Sequence, residues 1–229
     1  MKRSITLVAA GAIVIAIASS VYLFSAERIK QTGSSPAMLK PTSTSSTAAA
    51  AKLDAPSPPM RGRIALDDEQ VHDALAAGLL DRPVKSILKV DAPMSYGDFL
   101  WNDQGVPAGP VWIRVDLASQ ILSVFKSGHE IGTAVILYGA DGLPTPTGKY
   151  PILAKMKDHK SITYGDAPMP YTLRLTNDGV SIHGSNVRWG FATHGCIGIP
   201  KEFAAKLFDA VSKGDEVLIV SGKGKPSSS

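Results

Sequence analysis

The 229 residues carry 24 Lys and Arg against 20 Asp and Glu, a net charge of +4, and one cysteine. That length leaves room for one sizeable domain with accessories, and a single cysteine rules out an internal disulfide framework. Part of the basic excess lies at the termini (Lys2, Arg3, Arg28, Lys30, Lys223, Lys225), and no basic face interleaved with aromatics is present, so nucleic acid is not expected as a partner.

Lys2 and Arg3 precede an uncharged run from Ile5 to Phe24. About 20 residues rising ~1.5 Å each suffice to cross a bilayer. Positive charge ahead of the run keeps the N-terminus cytoplasmic and the remainder outside. Residues 1–30 are therefore expected to anchor the chain in the inner membrane, with the rest on the periplasmic side of the cell envelope. Ala18-Ser19-Ser20 offers the alternative of a cleaved signal and a secreted product. No cysteine follows the run, which excludes a lipoprotein signal. Residues 31–62, with Gly33-Ser34-Ser35-Pro36, a Ser/Thr/Ala tract and Pro56-Ser57-Pro58-Pro59, read as a disordered linker, and 223–229 as a disordered tail.

Residues 63–110 read as a short helical pre-domain segment. Asp67 and Asp68 favour a helix start, and Val71, Leu75 and Leu79 give an apolar stripe over 66–80. Residues 84–102, with Pro93 and Gly97, are expected to pack against the core.

From Val111 the apolar period becomes two, which predicts a strand over 111–117, followed by strands at 121–125 and 130–138 in hairpin spacing. A fourth is expected over 149–156. Residues 171–176 alternate again, and Asn177-Asp178-Gly179 supplies a tight turn to a return strand, 180–183, with His183 at its end. Pro200 opens a helix over 201–212 with Phe203, Leu207 and Val211 inward, and 215–220 forms a last strand. The domain is thus mainly β, with an antiparallel sheet and one packed helix. His129 is expected in a turn and His159 in a Lys-rich loop, both at the surface.

Cys196 lies in Thr193-His194-Gly195-Cys196-Ile197, downstream of His183-Gly184. An exported thiol without a partner, flanked by histidines, is a candidate nucleophile. A free thiol has a pKa of ~8.5, so a neighbouring base has work to do at neutral pH. The bland alternative is a small buried hydrophobe. A zinc set of His183, His194 and Cys196 matches no familiar ligand spacing.

Together, Ile182-His183-Gly184 and Thr193-His194-Gly195-Cys196-Ile197 resemble the signature of the YkuD-type L,D-transpeptidases. Pro144-Thr145-Pro146-Thr147-Gly148-Lys149-Tyr150 is similar to their Thr-Pro-x-Gly loop, and Met169-Pro170-Tyr171 to a further family segment. The resemblance implies a β-sandwich-like catalytic domain over 111–222 that acts on peptidoglycan stem peptides without metal or organic cofactor. By the same resemblance Cys196 attacks a tetrapeptide donor, D-alanine leaves, and an acceptor amine resolves the thioester into a 3→3 cross-link. His183 would be the general base, oriented by the Gly184 carbonyl. Gly195 and Cys196 would supply oxyanion N–H groups, and His194 would stand behind the site or on its substrate side. Thr145, Pro146, Tyr171, Arg174, Ser185, Arg188 and Trp189 are candidate substrate contacts, and Phe191 a further cleft residue.

Family members often carry arginine two residues after the cysteine, where this chain has Gly198. Arg188 or Arg174 is expected to take over. The same thioester chemistry also admits an L,D-carboxypeptidase or an enzyme that attaches or detaches a wall-linked protein. A non-catalytic wall-binding module is the alternative of another class. A papain-like or NlpC-type peptidase is disfavoured because His183 precedes Cys196.

Overall fold

The computed structural model describes residues 60–140, 142–161 and 165–221. The expected anchor, the linker apart from 60–62, and the tail from 223 lie outside the described residues. Among the described residues no helix is long and apolar enough to cross a membrane.

The pre-domain segment is not an appendage but part of the main sheet. Strand β1 (Arg63–Ala65) pairs with β2 (Ser86–Leu88), and β3 (Phe99–Trp101) lies antiparallel to β6 (His129–Val135). Between β1 and β2, helix α1 (Asp68–Ala76) starts at an Asp67 cap whose side chain accepts from the Gln70 N–H, while the Gln70 side chain bonds back to Asp67. The helix is shorter than its apolar stripe predicts.

β4 (Val111–Asp116) and β5 (Ile121–Lys126) pair along all their residues, and β5 continues antiparallel to β6. Ile113 and Val115 point into the core, as the period of two requires. The opposite face is covered as well: Trp112 stacks on its cross-strand partner Phe125 at 4.1 Å, with the Arg82 guanidinium 4.4 Å above the indole. Val84, Leu66, Leu80 and Ile87 close over that pair. His129 is accordingly buried at the head of β6 and bonded to Ser86 Oγ at 2.9 Å, not in a surface turn.

The strand expected over 149–156 is two strands in different sheets. β7 (Gly148–Pro151) pairs with β12 (Glu216–Val220) in the large sheet, and β8 (Ala154–Lys160) opens the small one. The chain changes sheets at Ile152, whose N–H donates to Asp215 O at 3.0 Å, whereas that of Leu153 donates to Arg174 O at 2.7 Å. The small sheet runs β11 (Ile197–Pro200), β10 (Ser181–Ser185), β9 (Pro168–Arg174), β8. The sheets are mixed rather than antiparallel: β2–β6, β4–β12 and β10–β11 are parallel pairs. Each joins strands separated by a long connection, as parallel pairing demands.

Helix α2 (Lys201–Ala210) follows β11 directly and buries Phe203, Ala204 and Leu207. One core takes Ile113, Val115 and Ile131 from the large sheet, Leu173, Ile182 and Ile197 from the small sheet, and Phe203 from α2. Phe203 meets Phe99 and Trp101 edge-on at 5.7 and 5.4 Å, so α2 also rests on a strand of the pre-domain segment.

Candidate active site

The site is built on the parallel pair β10–β11. Ile182 faces Ile197 and His183 faces Gly198 across the ladder. Ile182, Ile197 and Ile199 point into the core and are fully buried. Alternation then puts Ser181, His183 and Ser185, with Cys196 and Gly198, on the other face. His183 is the middle residue of β10 rather than its last, and Cys196 immediately precedes β11.

His183 Nδ1 lies 3.1 Å from the Gly184 carbonyl oxygen. A carbonyl only accepts, so Nδ1 carries the proton and Nε2 keeps its lone pair. Burial holds the imidazole pKa below its ordinary value; the Gly184 bond opposes this, and His159 adds to it. The ring is therefore neutral at neutral pH and able to accept a proton.

The half-buried Cys196 thiol sits with Sγ 3.8 Å from the Gly179 carbonyl oxygen. Burial pushes its pKa up; the Ser181 N–H favours the thiolate, while the Asp178 charge opposes it. Burial thus favours the neutral form of both thiol and imidazole.

The backbone around the thiol is pinned from below. Gly195 has φ +102°, a conformation that side-chain-bearing residues rarely adopt, and it turns the chain between His194 and Cys196. The Cys196 carbonyl accepts from Thr193 Oγ1 and, at 3.5 Å, from Thr145 Oγ1, which itself accepts from the Gly139 N–H at 2.9 Å. Leu137 exchanges two bonds with Gly198 at 2.8 and 2.9 Å, and Thr193 N donates to Tyr138 O at 3.0 Å. Residues 137–140 therefore grip both sides of the Cys196 loop, an arrangement that no local motif announces.

The other candidates are distributed between the core side, the loop surface and the strand face. Thr145 is buried with its hydroxyl committed to Gly139 and Cys196, so it holds the Cys196 backbone, and the half-buried Pro146 follows it. The Tyr171 ring packs edge-on against Phe208 of α2 at 5.8 Å, on the core side, and its backbone has φ +57°. Arg188 is exposed with Nε on Asn186 Oδ1 at 2.9 Å. Trp189 is 81% exposed, with an edge contact to Tyr96 at 5.7 Å; Phe191 and His194 are also exposed. Ser185 is half-buried and stands against Gly198: a Cβ there would meet Ser185 Cβ at 3.0 Å and Leu137 Cβ at 3.4 Å. At the place where the resemblance anticipates arginine, a side chain would require Ser185 to give by a few tenths of an ångström.

Three residues that act on these groups were not among the candidate site residues: Ser181 and Asp178 on Cys196, and His159 on His183. His159 lies within β8 rather than in a loop, close enough for its charge to act on His183. Among the described residues no group of three or more potential metal ligands comes together, His183, His194 and Cys196 included. A cleft of about 500 Å³ opens further along the same strands, lined by Pro170, Gly184, Ser185, Asn186, Pro200 and Glu202 among others.

Residues 110–219 match the family model YkuD, described as the L,D-transpeptidase catalytic domain. These residues belong to the YkuD family. Among curated proteins, L,D-transpeptidase 1 of Mycobacterium tuberculosis is 28% identical over 136 residues, covering 51% of this chain and 53% of its own. The chain thus spans about half the length of the curated relatives it matches. Similar solved structures include an L,D-transpeptidase from Stackebrandtia nassauensis (TM-score 0.46, 25% identity, 50% of this chain and 57% of that one). A mutant form of the Enterococcus faecium L,D-transpeptidase gives a TM-score of 0.44 at 28% identity, covering 49% and 50%. The YkuD match begins at 110, so β1–β3 lie outside it although they complete the same sheet.

Proposed function

We propose that the chain is a peptidoglycan L,D-transpeptidase of the cell envelope, with the run from Ile5 to Phe24 as its membrane anchor. One observation carries the reading: a histidine whose Nδ1 is tied to the Gly184 carbonyl at 3.1 Å shares a strand-pair face with the chain's single thiol. Family membership of the domain supplies the substrate class.

In this reading His183 Nε2 removes the thiol proton as Sγ attacks the carbonyl carbon of the third residue of a tetrapeptide stem. The oxyanion is received by the Gly195 and Cys196 N–H groups. Collapse breaks the bond to D-alanine, whose amine takes the proton from His183, and leaves a thioester on Cys196. An amine of a second stem then attacks the thioester. It gives its proton to His183, which returns it to Sγ, and a 3→3 cross-link results. Thr145 and Thr193 act indirectly, by holding the Cys196 carbonyl so that the N–H groups beside it keep their direction.

The test is to incubate the purified protein with tetrapeptide muropeptides and separate the products. Cross-linked dimers with release of D-alanine support the proposal. Trimmed tripeptides without dimers would mean that water resolves the thioester, making the enzyme an L,D-carboxypeptidase, and would overturn it.

A further inference from the structure

Arg174 ends β9 directly opposite Ser181 of β10. Its neighbour Leu173 faces Ile182, and both are buried in the core. Alternation therefore brings the Arg174 side chain out on the opposite face, that of His183 and Cys196. Continuing the β10–β11 register by one residue puts Cys196 beside Ser181, which completes a row of Arg174, Ser181 and Cys196. Adjacent strands are ~4.8 Å apart, so Arg174 stands about two spacings from the nucleophile, within an arginine's reach of a group bound there.

The other half-buried arginines among the described residues are engaged. Arg63 donates to the Glu130 and Asn102 carbonyls, Arg82 pairs with Asp81 and Glu216, and Arg114 pairs with Asp116. The Arg174 side chain has no hydrogen bond or ion pair among the described residues; its Nε is buried with no partner, as are those of Arg63 and Arg114, but unlike theirs its terminal nitrogens are uncommitted too. A buried guanidinium N–H without an acceptor is costly, and a carboxylate is the ligand that matches its planar fork. Meanwhile a side chain at position 198 would be crowded by Ser185.

We propose that Arg174 is the carboxylate-binding residue for the acyl donor and holds a carboxylate of the stem peptide beside Cys196. The identity of that anion rests on the transpeptidase reading; the proximity of Arg174 to the thiol does not. The donor has two kinds of carboxylate, the terminal one of D-alanine and those on internal residues. A donor amidated at its C-terminus tells them apart.

Alkylation of Cys196 by anionic iodoacetate and by neutral iodoacetamide is compared in the wild type, Arg174→Gln and Arg174→Lys, alongside donor kinetics. The iodoacetate-to-iodoacetamide rate ratio is expected to fall several-fold in Arg174→Gln and to recover in part in Arg174→Lys, with the iodoacetamide rate reporting an intact site. Loss of a charged hydrogen-bond partner should raise the donor KM by about tenfold or more, with kcat less affected. An amidated donor insensitive to Arg174→Gln assigns the terminal carboxylate; one as sensitive as the free acid assigns an internal carboxylate. An unchanged alkylation ratio overturns the proposal, and so does a reduced ratio with unaltered donor KM. If the wild type fails to turn over any stem peptide while the ratio still falls, the transpeptidase reading fails and Arg174 stands as an anion site by the thiol.

Discussion

Cys196 and His183 rest as neutral groups because burial acts on both in the direction that removes charge, raising the thiol pKa and lowering that of the imidazole. A pre-formed thiolate–imidazolium pair would alkylate at a rate that levels off well into the acid range. Here the iodoacetamide rate is expected to keep climbing as pH rises past the ordinary thiol value of ~8.5. A plateau below pH ~7 would contradict the neutral pair. The depressed imidazole has a matching consequence for turnover. The acid limb of kcat/KM should fall below the ordinary histidine pKa of ~6.5, because His183 stays deprotonated further into acid. Sequence patterns located these two residues and Gly184, since their chemistry lies in short runs. Thr145 was legible as part of a motif but not in its role, and Asp178 and His159 were not legible as neighbours. They reach the site through strand register, which leaves no local trace.

The strands at 111–116, 121–126 and 129–135 follow the period-two signal closely, because each has one face in the core. β11 escapes such a pattern: all its residues are buried, so nothing alternates. The break between β7 and β8 is hidden because the apolar run passes straight through the change of sheet at Ile152. Helix α2 shows how much packing one position carries. Phe203 is fully buried against Phe99 and Trp101, so Phe203→Ala should destabilise by about 3–5 kcal/mol, read as a lower denaturation midpoint at constant m-value. Glu130 in β6 offers a pH test of the other end of the sheet. Burial pushes its carboxyl pKa up, although Ser123, the Leu88 N–H and the nearby Arg63 charge pull against that. Its folded pKa therefore lies above the unfolded ~4.3, so its contribution is full below that value and is lost as pH rises through the folded pKa. Glu130→Gln should flatten this decline; an unfolding free energy with unchanged pH dependence would show that the carboxyl is not held protonated.

Two sheets and α2 enclose one core, and the thiol loop is clasped between the small sheet and residues 137–140 beyond β6 of the large one. The family match begins at 110, yet the fold needs what precedes it. β3 supplies Phe99 and Trp101 to the α2 contact, and the segment around Val84 covers Trp112 and Phe125. A chain beginning at residue 110 would expose that stacked pair. It is therefore expected to melt well below a chain beginning at residue 60, as differential scanning calorimetry would reveal; equal melting temperatures would make residues 60–109 dispensable. The composition shift near residue 62 was legible in the sequence. The joining of β1, β2 and β3 to the large sheet was not, because strands of three residues are too short to establish a period. The proposed function requires Cys196 to become acylated. Intact-protein mass spectrometry during turnover of a tetrapeptide donor should find an adduct equal to the donor less D-alanine, present on the wild type and absent from Cys196→Ala. Release of D-alanine by the Cys196→Ala protein, or turnover by the wild type with no such adduct even on rapid acid quench, would contradict it.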